Sequence, residues 1–176
     1  MKDIDKEIVF KSWVEKYHLF GYRVARGILG NDEEARDTVQ DGFLRVWQNM
    51  DRYRDDIPFS TWFYRIIVNI CFDRLRKMKQ NHAFMEYQAG NRGSDHYAED
   101  HSSQFRDGMQ LLKKLSHRLS GKQRTVFILR DLEDLSVEEV SAITSMSPDQ
   151  IKTNLYHARK AMREILIQMK IKEDWI

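Results

Sequence analysis

Residues 136–160 read SVEEVSAITSMSPDQIKTNLYHARK. Two capping boxes lie in this stretch, Ser136 with Glu139 and Ser147 with Gln150, in which a serine side chain and a partner three residues on satisfy each other's helix-end amides. They predict a helix of about eight residues from Val137 to Thr144, a tight turn Ser145-Met146-Ser147, and a longer basic helix from Pro148, the layout of a helix-turn-helix. Pro148 falls at the first helical position, where its missing N–H costs nothing. Val137, Val140 and Ile143 of the first helix, and Ile151, Leu155, Ala158 and Met162 of the second, share an inward face. That leaves Asp149, Gln150, Lys152, Thr153, Asn154, His157 and Arg159 pointing outward. Gln, Asn, Lys and Arg pair with base edges or phosphates, whereas Asp149 suits the helix dipole but would repel a phosphate. An αα-hairpin with a solvated outer helix reads the same from this stretch alone, so the rest of the chain has to decide.

Immediately upstream, Ser120 and Gln123 form a third box that starts a helix carrying Val126, Phe127 and Leu129. A preceding helix with Met109, Leu112, Leu115 and Leu119 completes a four-helix domain over residues 105–176. Between 81 and 104 apolar periodicity vanishes, and Gly90-Asn91-Arg92-Gly93-Ser94-Asp95 reads as flexible linker. Residues 1–80 are periodic again. Phe10, Trp13, Val14, Tyr17, Phe20, Val24 and Ile28 form one helical stripe, ended by Gly30-Asn31. A second helix starts near Asp32 with Val39, Phe43, Val46, Trp47 and Met50 on one side. After a polar loop from Asp51 to Pro58, Ser60 or Thr61 caps a third helix that turns Trp62, Phe63, Ile66, Ile67 and Ile70 inward. The expected fold is therefore all-α: two small helical domains joined by a flexible linker, the C-terminal one holding the helix-turn-helix.

Composition narrows the function. The chain has 176 residues, enough for one ordinary domain or two small ones. Hydrophobic residues make up 41% and charged residues 32%, with only two prolines and eight glycines, which argues against a turn-dense β sandwich or barrel. No stretch resembles a signal peptide, and no apolar run approaches the ~18 residues a membrane helix needs, so the expectation is a cytoplasmic protein without membrane insertion. Enzymatic chemistry has little support. The six histidines His18, His82, His96, His101, His117 and His157 are scattered, none with the spacing of a zinc helix. The one cysteine, Cys71, sits on an apolar helix as a small hydrophobe. No phosphate-cradling glycine loop occurs, and neither a cofactor nor a metal is expected.

Charge is segregated despite a net of +2. Residues 32–41 hold Asp32, Glu33, Glu34, Asp37 and Asp41 against Arg36, and residues 81–104 are acidic as well. Residues 65–79 hold Arg65, Arg74, Arg76, Lys77 and Lys79 against Asp73, and residues 148–172 hold Lys152, Arg159, Lys160, Arg163, Lys170 and Lys172 against Asp149 and Glu164. Two basic segments on either side of an acidic connector form the electrostatic footprint of a nucleic-acid binder, although one such stripe alone is usually a solvated face.

Three blocks together resemble the sigma-70 class of bacterial RNA polymerase sigma factors, specifically the short extracytoplasmic-function group. They are DEEARDTVQDGFLRVW at 32–47, FSTWFYRIIVN at 59–69, and the stretch from Leu119-Ser120-Gly121-Lys122-Gln123-Arg124 to Tyr156-His157-Ala158-Arg159. The turn departs from the family in having Ser145 where glycine is usual, and the recognition helix begins Ser147-Pro148-Asp149-Gln150 where Gly-Thr is frequent. The resemblance implies a first domain, 1–80, that docks on core polymerase and recognises and melts the −10 element, and a last domain, 105–176, that reads the −35 element. It implies docking on the polymerase clamp coiled coil through Asp37, Gln40, Asp41, Arg45 and Trp47, and contact of the second domain with the polymerase flap. Phe43 and Val46 are read as core. The −10 contacts implied are Tyr53, Trp62, Arg65, Asn69, Arg74, Arg76 and Lys77, with Tyr53 and Asn69 serving a base flipped from the opened strand. The alternative for Asn69 is an ordinary inter-helix hydrogen bond. The −35 contacts implied are Gln150, Lys152, Thr153, Asn154, His157, Arg159 and Lys160. Arg124 reads as a surface arginine. The acidic linker is either a guide toward the RNA exit path or a plain tether, and an anti-sigma factor is an implied partner.

Two other readings compete. A helix-turn-helix regulator with an N-terminal sensory or partner-binding domain would not need both an acidic docking helix and a following aromatic-basic helix. A helical adaptor leaves the two separate basic helices unexplained.

Overall fold

The computed structural model describes residues 3–54, 56–89 and 118–173. Among them all regular elements are helical: α1 (Asp3–Leu29), α2 (Asp32–Asn49), α3 (Phe59–Ala89), α4 (Gly121–Phe127), α5 (Val137–Thr144) and α6 (Pro148–Glu173). A 3-10 turn, Met50–Arg52, follows α2, and a π turn, Ile128–Leu132, follows α4.

Local chemistry sets these boundaries. Gly30 ends α1 with φ 71°, a left-handed geometry that costs glycine nothing, and its N–H donates to the Arg26 carbonyl at 2.8 Å. Asn31 then caps α2, its side chain accepting from the Glu34 amide at 3.0 Å. The acidic residues Asp32, Glu33 and Glu34 occupy the first turn, where the helix dipole favours them. α3 begins at Phe59, ahead of the expected Ser60 or Thr61 cap, because Pro58 supplies the first carbonyl to Trp62 N–H at 3.2 Å; Thr61 is buried inside the helix. α3 also continues through residues 81–89, into the stretch expected as linker. The remainder of that linker, and the expected helix positions Met109, Leu112 and Leu115, lie outside the described residues.

Helices α1, α2 and α3 pack on one another around an aromatic lattice centred on Phe63, which is fully buried. Its ring stacks on Phe43 at 4.6 Å and on Phe59 at 5.9 Å, and Trp13 stacks on Phe59 at 3.9 Å. Phe43 and Val46 are buried, as the sequence reading has them. Each such side chain contributes about 1.5–3 kcal/mol by leaving water. Gly42 lets α2 approach α3 closely, since a Cβ there would lie 2.6 Å from Ile67 Cδ1.

The second unit sets two short helices, α4 and α5, ahead of the long α6, and all three capping boxes expected from the sequence are present. Ser120 and Gln123, Ser136 and Glu139, and Ser147 and Gln150 exchange reciprocal bonds of 2.7–3.2 Å. In the π turn the Glu133 amide donates to the Ile128 carbonyl at 3.0 Å, and the Arg130 guanidinium holds the Leu135 carbonyl. α5 ends at Ser145, which takes a left-handed φ of 59°.

The two units share one core, a contact the sequence did not signal. Val126, Ile128, Leu129, Val140, Ile143, Met146 and Ile151 are buried in the same cluster as Val24, Ile28, Phe63, Ile67 and Cys71. α5 lies against α3, and α4 against α1. Burial in this cluster pushes the Cys71 thiol up to about 12, outweighing the opposing pull of Arg74 and Arg124. Arg124 is only 5% exposed, so it is a residue of this interface and not the surface arginine expected.

Candidate nucleic-acid interface

On α3 the residues at 62, 65, 69, 73 and 76 follow the three-and-four spacing of a single helical face. Arg65, Asn69, Asp73 and Arg76 are exposed, and Trp62 is half-buried at the lower end. Asn69 sits between the buried Val68 and Ile70, yet its amide points to solvent without a hydrogen bond to any described residue. The inter-helix hydrogen bond considered as its alternative is therefore absent among the described residues.

At the foot of this face, Arg52, Tyr53, Arg54, Asp56, Ile57 and Trp62 line an open cleft of ≈ 180 Å³. The Tyr53 ring lies 5.1 Å from Trp62 and 5.5 Å from Trp13, and its hydroxyl donates to the Ile57 carbonyl at 2.9 Å. A fixed aromatic pair beside arginines and one carboxylate offers a stacking surface with polar groups at its rim, the combination that holds an unstacked base. From Trp62 to Asn69 is seven residues, roughly 10 Å along the helix at ~1.5 Å per residue.

Several arginines expected to meet DNA are engaged inside the protein. Arg74 bridges to Glu34 and, at 2.8 Å, to Asp41 of α2. Arg65 donates from Nε to the Ala142 carbonyl of α5 at 2.9 Å. Arg159 forms a bidentate pair with Asp131, with bonds of 2.8 and 2.6 Å, and this hydrogen bonding holds its guanidinium above its ordinary pKa. Arg76 makes a surface pair with Asp73, and Lys77 is exposed. The structure thus leaves Asn69, Arg76 and Lys77 exposed, sets the half-buried Tyr53 and Trp62 at the lip of the cleft, and turns Arg65 and Arg74 toward internal acceptors.

On α6, Lys152, Thr153, His157 and Lys160 are exposed. The other two polar groups of that row have local duties. Gln150 is held in its capping box, and Asn154 donates to the Gln150 carbonyl at 2.7 Å. Tyr156, 65% exposed with its ring 5.4 Å from His157, adds to this face an aromatic group that its polar pattern does not announce.

α2 presents Asp37, Gln40, Arg45 and Trp47 at the surface and Asp41 at its edge. Lys6 lies over the Trp47 ring at 5.2 Å and pairs with Asp51. Leu44, 58% exposed, belongs to the same face; its place four residues after Gln40 was the available signal, hidden because leucine reads as core. Among the described residues no group of three His, Cys, Asp or Glu side chains is placed to hold a metal, and no helix is long and apolar enough to cross a membrane.

Comparison with known proteins gives a consistent picture. Residues 13–81 match the family described as sigma-70 region 2, and residues 109–162 match sigma-70, region 4. The ECF RNA polymerase sigma factor SigW of Bacillus subtilis is 31% identical over 154 residues, covering 82% of each chain. The RNA polymerase sigma factor SigV of the same organism is 32% identical over 146 residues, covering 81% of each. In fold the chain is similar to the sigma factor RpoE of Bartonella quintana, solved in complex with the anti-sigma factor NepR, with a TM-score of 0.71 at 24% identity over 89% of this chain and 96% of that one.

Proposed function

This chain belongs to the extracytoplasmic-function group of the sigma-70 family, and from that premise we propose that it binds core RNA polymerase and directs initiation at two-part promoters, with no covalent chemistry of its own. The first unit, residues 1–80, docks on the polymerase clamp through Asp37, Gln40, Leu44, Arg45 and Trp47. It then captures the melted non-template strand of the −10 element along α3. The last unit, residues 105–176, enters the major groove of the −35 element with the start of α6 and contacts the polymerase flap.

The observation that carries this reading is Asn69. A solvent-facing amide on an otherwise packed segment, in line with the Tyr53–Trp62 cleft, suits a base edge whose ring stacks below it. Arg76 and Lys77 then follow the backbone, each phosphate contact adding about one unit of salt dependence without selecting sequence. On α6, Lys152, Thr153 and His157 are the free base-reading side chains, and Lys160 reaches a phosphate. By analogy with the NepR-bound relative, an anti-sigma protein covering these faces is a fitting partner.

Run-off transcription with core polymerase and a genomic promoter library tests the reading. Addition of the chain should yield promoter-dependent transcripts, and Asn69→Ala should reduce open-complex formation while core binding is retained. Duplex binding without any promoter-dependent transcript would favour a helix-turn-helix regulator instead.

A further inference from the structure

The start of α6 carries one charge of the wrong sign for DNA. Asp149 stands in the first turn, exposed, and forms no hydrogen bond or ion pair with any described residue. Its place suits the helix dipole, but a carboxylate entering the major groove between two phosphate backbones weakens binding to every sequence unless a base compensates it. Lys152 lies three positions on, the spacing at which opposite charges meet on a helix, yet the two are not paired. The acceptor sites of the carboxylate are thus left unused by its described neighbours.

The neighbouring side chains narrow what it can accept from. An amide reads adenine with both of its halves, the carbonyl on N6 and the amine on N7. Gln150 has its carbonyl tied to the Ser147 N–H at 3.0 Å, and Asn154 has its amine tied to the Gln150 backbone carbonyl at 2.7 Å, so each has half of that pairing already engaged. Lys152, Thr153 and Asp149 are exposed without such ties. Lysine only donates, threonine does either, and an ionised aspartate only accepts. In the major groove guanine offers two acceptors, thymine an acceptor and a methyl group, and adenine an acceptor beside its amino group; cytosine alone offers only a donor, its N4 amino group. An acceptor-only side chain is matched by that edge and opposed by the lone pairs of the others.

We propose that Asp149 is a specificity-determining residue of the −35 reading: its carboxylate accepts from the N4 amino group of one cytosine and repels the acceptor edges of the other three bases at that position. This role rests on the DNA face assigned to α6 under the proposed function. Lys152, one turn along, supplies the positive charge that keeps net affinity, and selectivity comes from the penalty on the wrong bases as much as from the bond to the right one. Cytosine should be preferred about tenfold, toward the low end of what one base-edge contact gives.

The test uses the full chain and a promoter library randomised across the −35 element, selected twice: for run-off transcription with core polymerase, and for duplex binding by the chain alone. The wild type should show one position at which cytosine exceeds each other base by about tenfold. Asp149→Ala should flatten that position to near equality, leave the others as they are, and tighten binding to templates that lack the cytosine. Asp149→Asn should turn it toward adenine, since an amide pairs with N6 and N7. Service to the helix dipole alone would make the two variants alike, because both remove the charge; it would lower the melting temperature and act on all sequences equally. Variants that shift every position together, or a library with no position that follows residue 149, overturn the proposal. If one position follows residue 149 in duplex selection while no promoter-dependent transcript appears, the sigma reading fails and the base-reading role of Asp149 stands. Promoter-dependent transcripts indifferent to residue 149 keep the sigma reading and remove this role.

Discussion

The two units reach a folded state by different routes. The first uses long helices of 27, 18 and 31 residues, which bury a lattice of aromatic rings. Among the described residues the second has helices of 7 and 8 residues ahead of α6, too short to be stable alone, and each begins with a complete capping box. Side chains also secure its turns: the Ser141 hydroxyl donates to the Met146 carbonyl at 2.8 Å, and Thr144 to Val140 at 2.7 Å. Packing dominates in the first unit, whereas the second adds satisfied helix ends to its share of the common core.

Substitutions can break that contrast. The largest effect is expected for Phe63→Ala, which empties the centre of the aromatic lattice and should cost about 3–5 kcal/mol in denaturant unfolding. Ser136→Ala removes one cap and should cost about 1 kcal/mol. Equal losses from the two would abolish the distinction. Ser145→Gly works in the opposite direction: glycine accepts the left-handed φ without strain, and a gain of about 0.5–1 kcal/mol should appear as a raised melting temperature. A smaller effect concerns acid. Burial pulls the Asp32 carboxyl up, but the Tyr22 hydroxyl at 2.7 Å, with Arg26 and Arg36, more than offsets this and holds it below its ordinary range. A lowered folded-state pKa means the stabilisation is present above the unfolded value and fades as pH falls through the folded one. Asp32→Asn should remove that part of the acid slope in unfolding measured below about pH 4.

How far the sequence could be read followed the range of the interactions. All three capping boxes, Pro148 at the first position of α6 and the Ser145 turn were legible because each is settled by residues three or four apart. Phe43 and Val46 could be placed in the core from period alone. The Arg23–Glu133 ion pair between the two units joins residues 110 positions apart, and no local pattern announces it. Arg124 was misread for the same reason: an arginine on a short capped helix looks solvated until the first unit packs against it. At α3 the competing cap candidates Ser60 and Thr61 obscured a start set by Pro58, and a polar composition from residue 81 hid the helix that continues to Ala89. Arg65 and Arg74 were correctly seen as basic, but composition does not tell a phosphate partner from an internal acceptor.

The π turn at Ile128–Leu132 sets the rotational phase of everything after it. A π turn is an α-helix carrying one residue more than its hydrogen bonds expect, and each residue of an α-helix turns the chain by about 100°. Deleting a single residue there would let α4 wind on as ordinary helix. Asp131 would swing away from Arg159, and the loop leading to α5 would leave at another angle. The helix-turn-helix would keep its own shape yet face elsewhere, so a one-residue deletion in this segment should be tolerated far less well than substitutions around it.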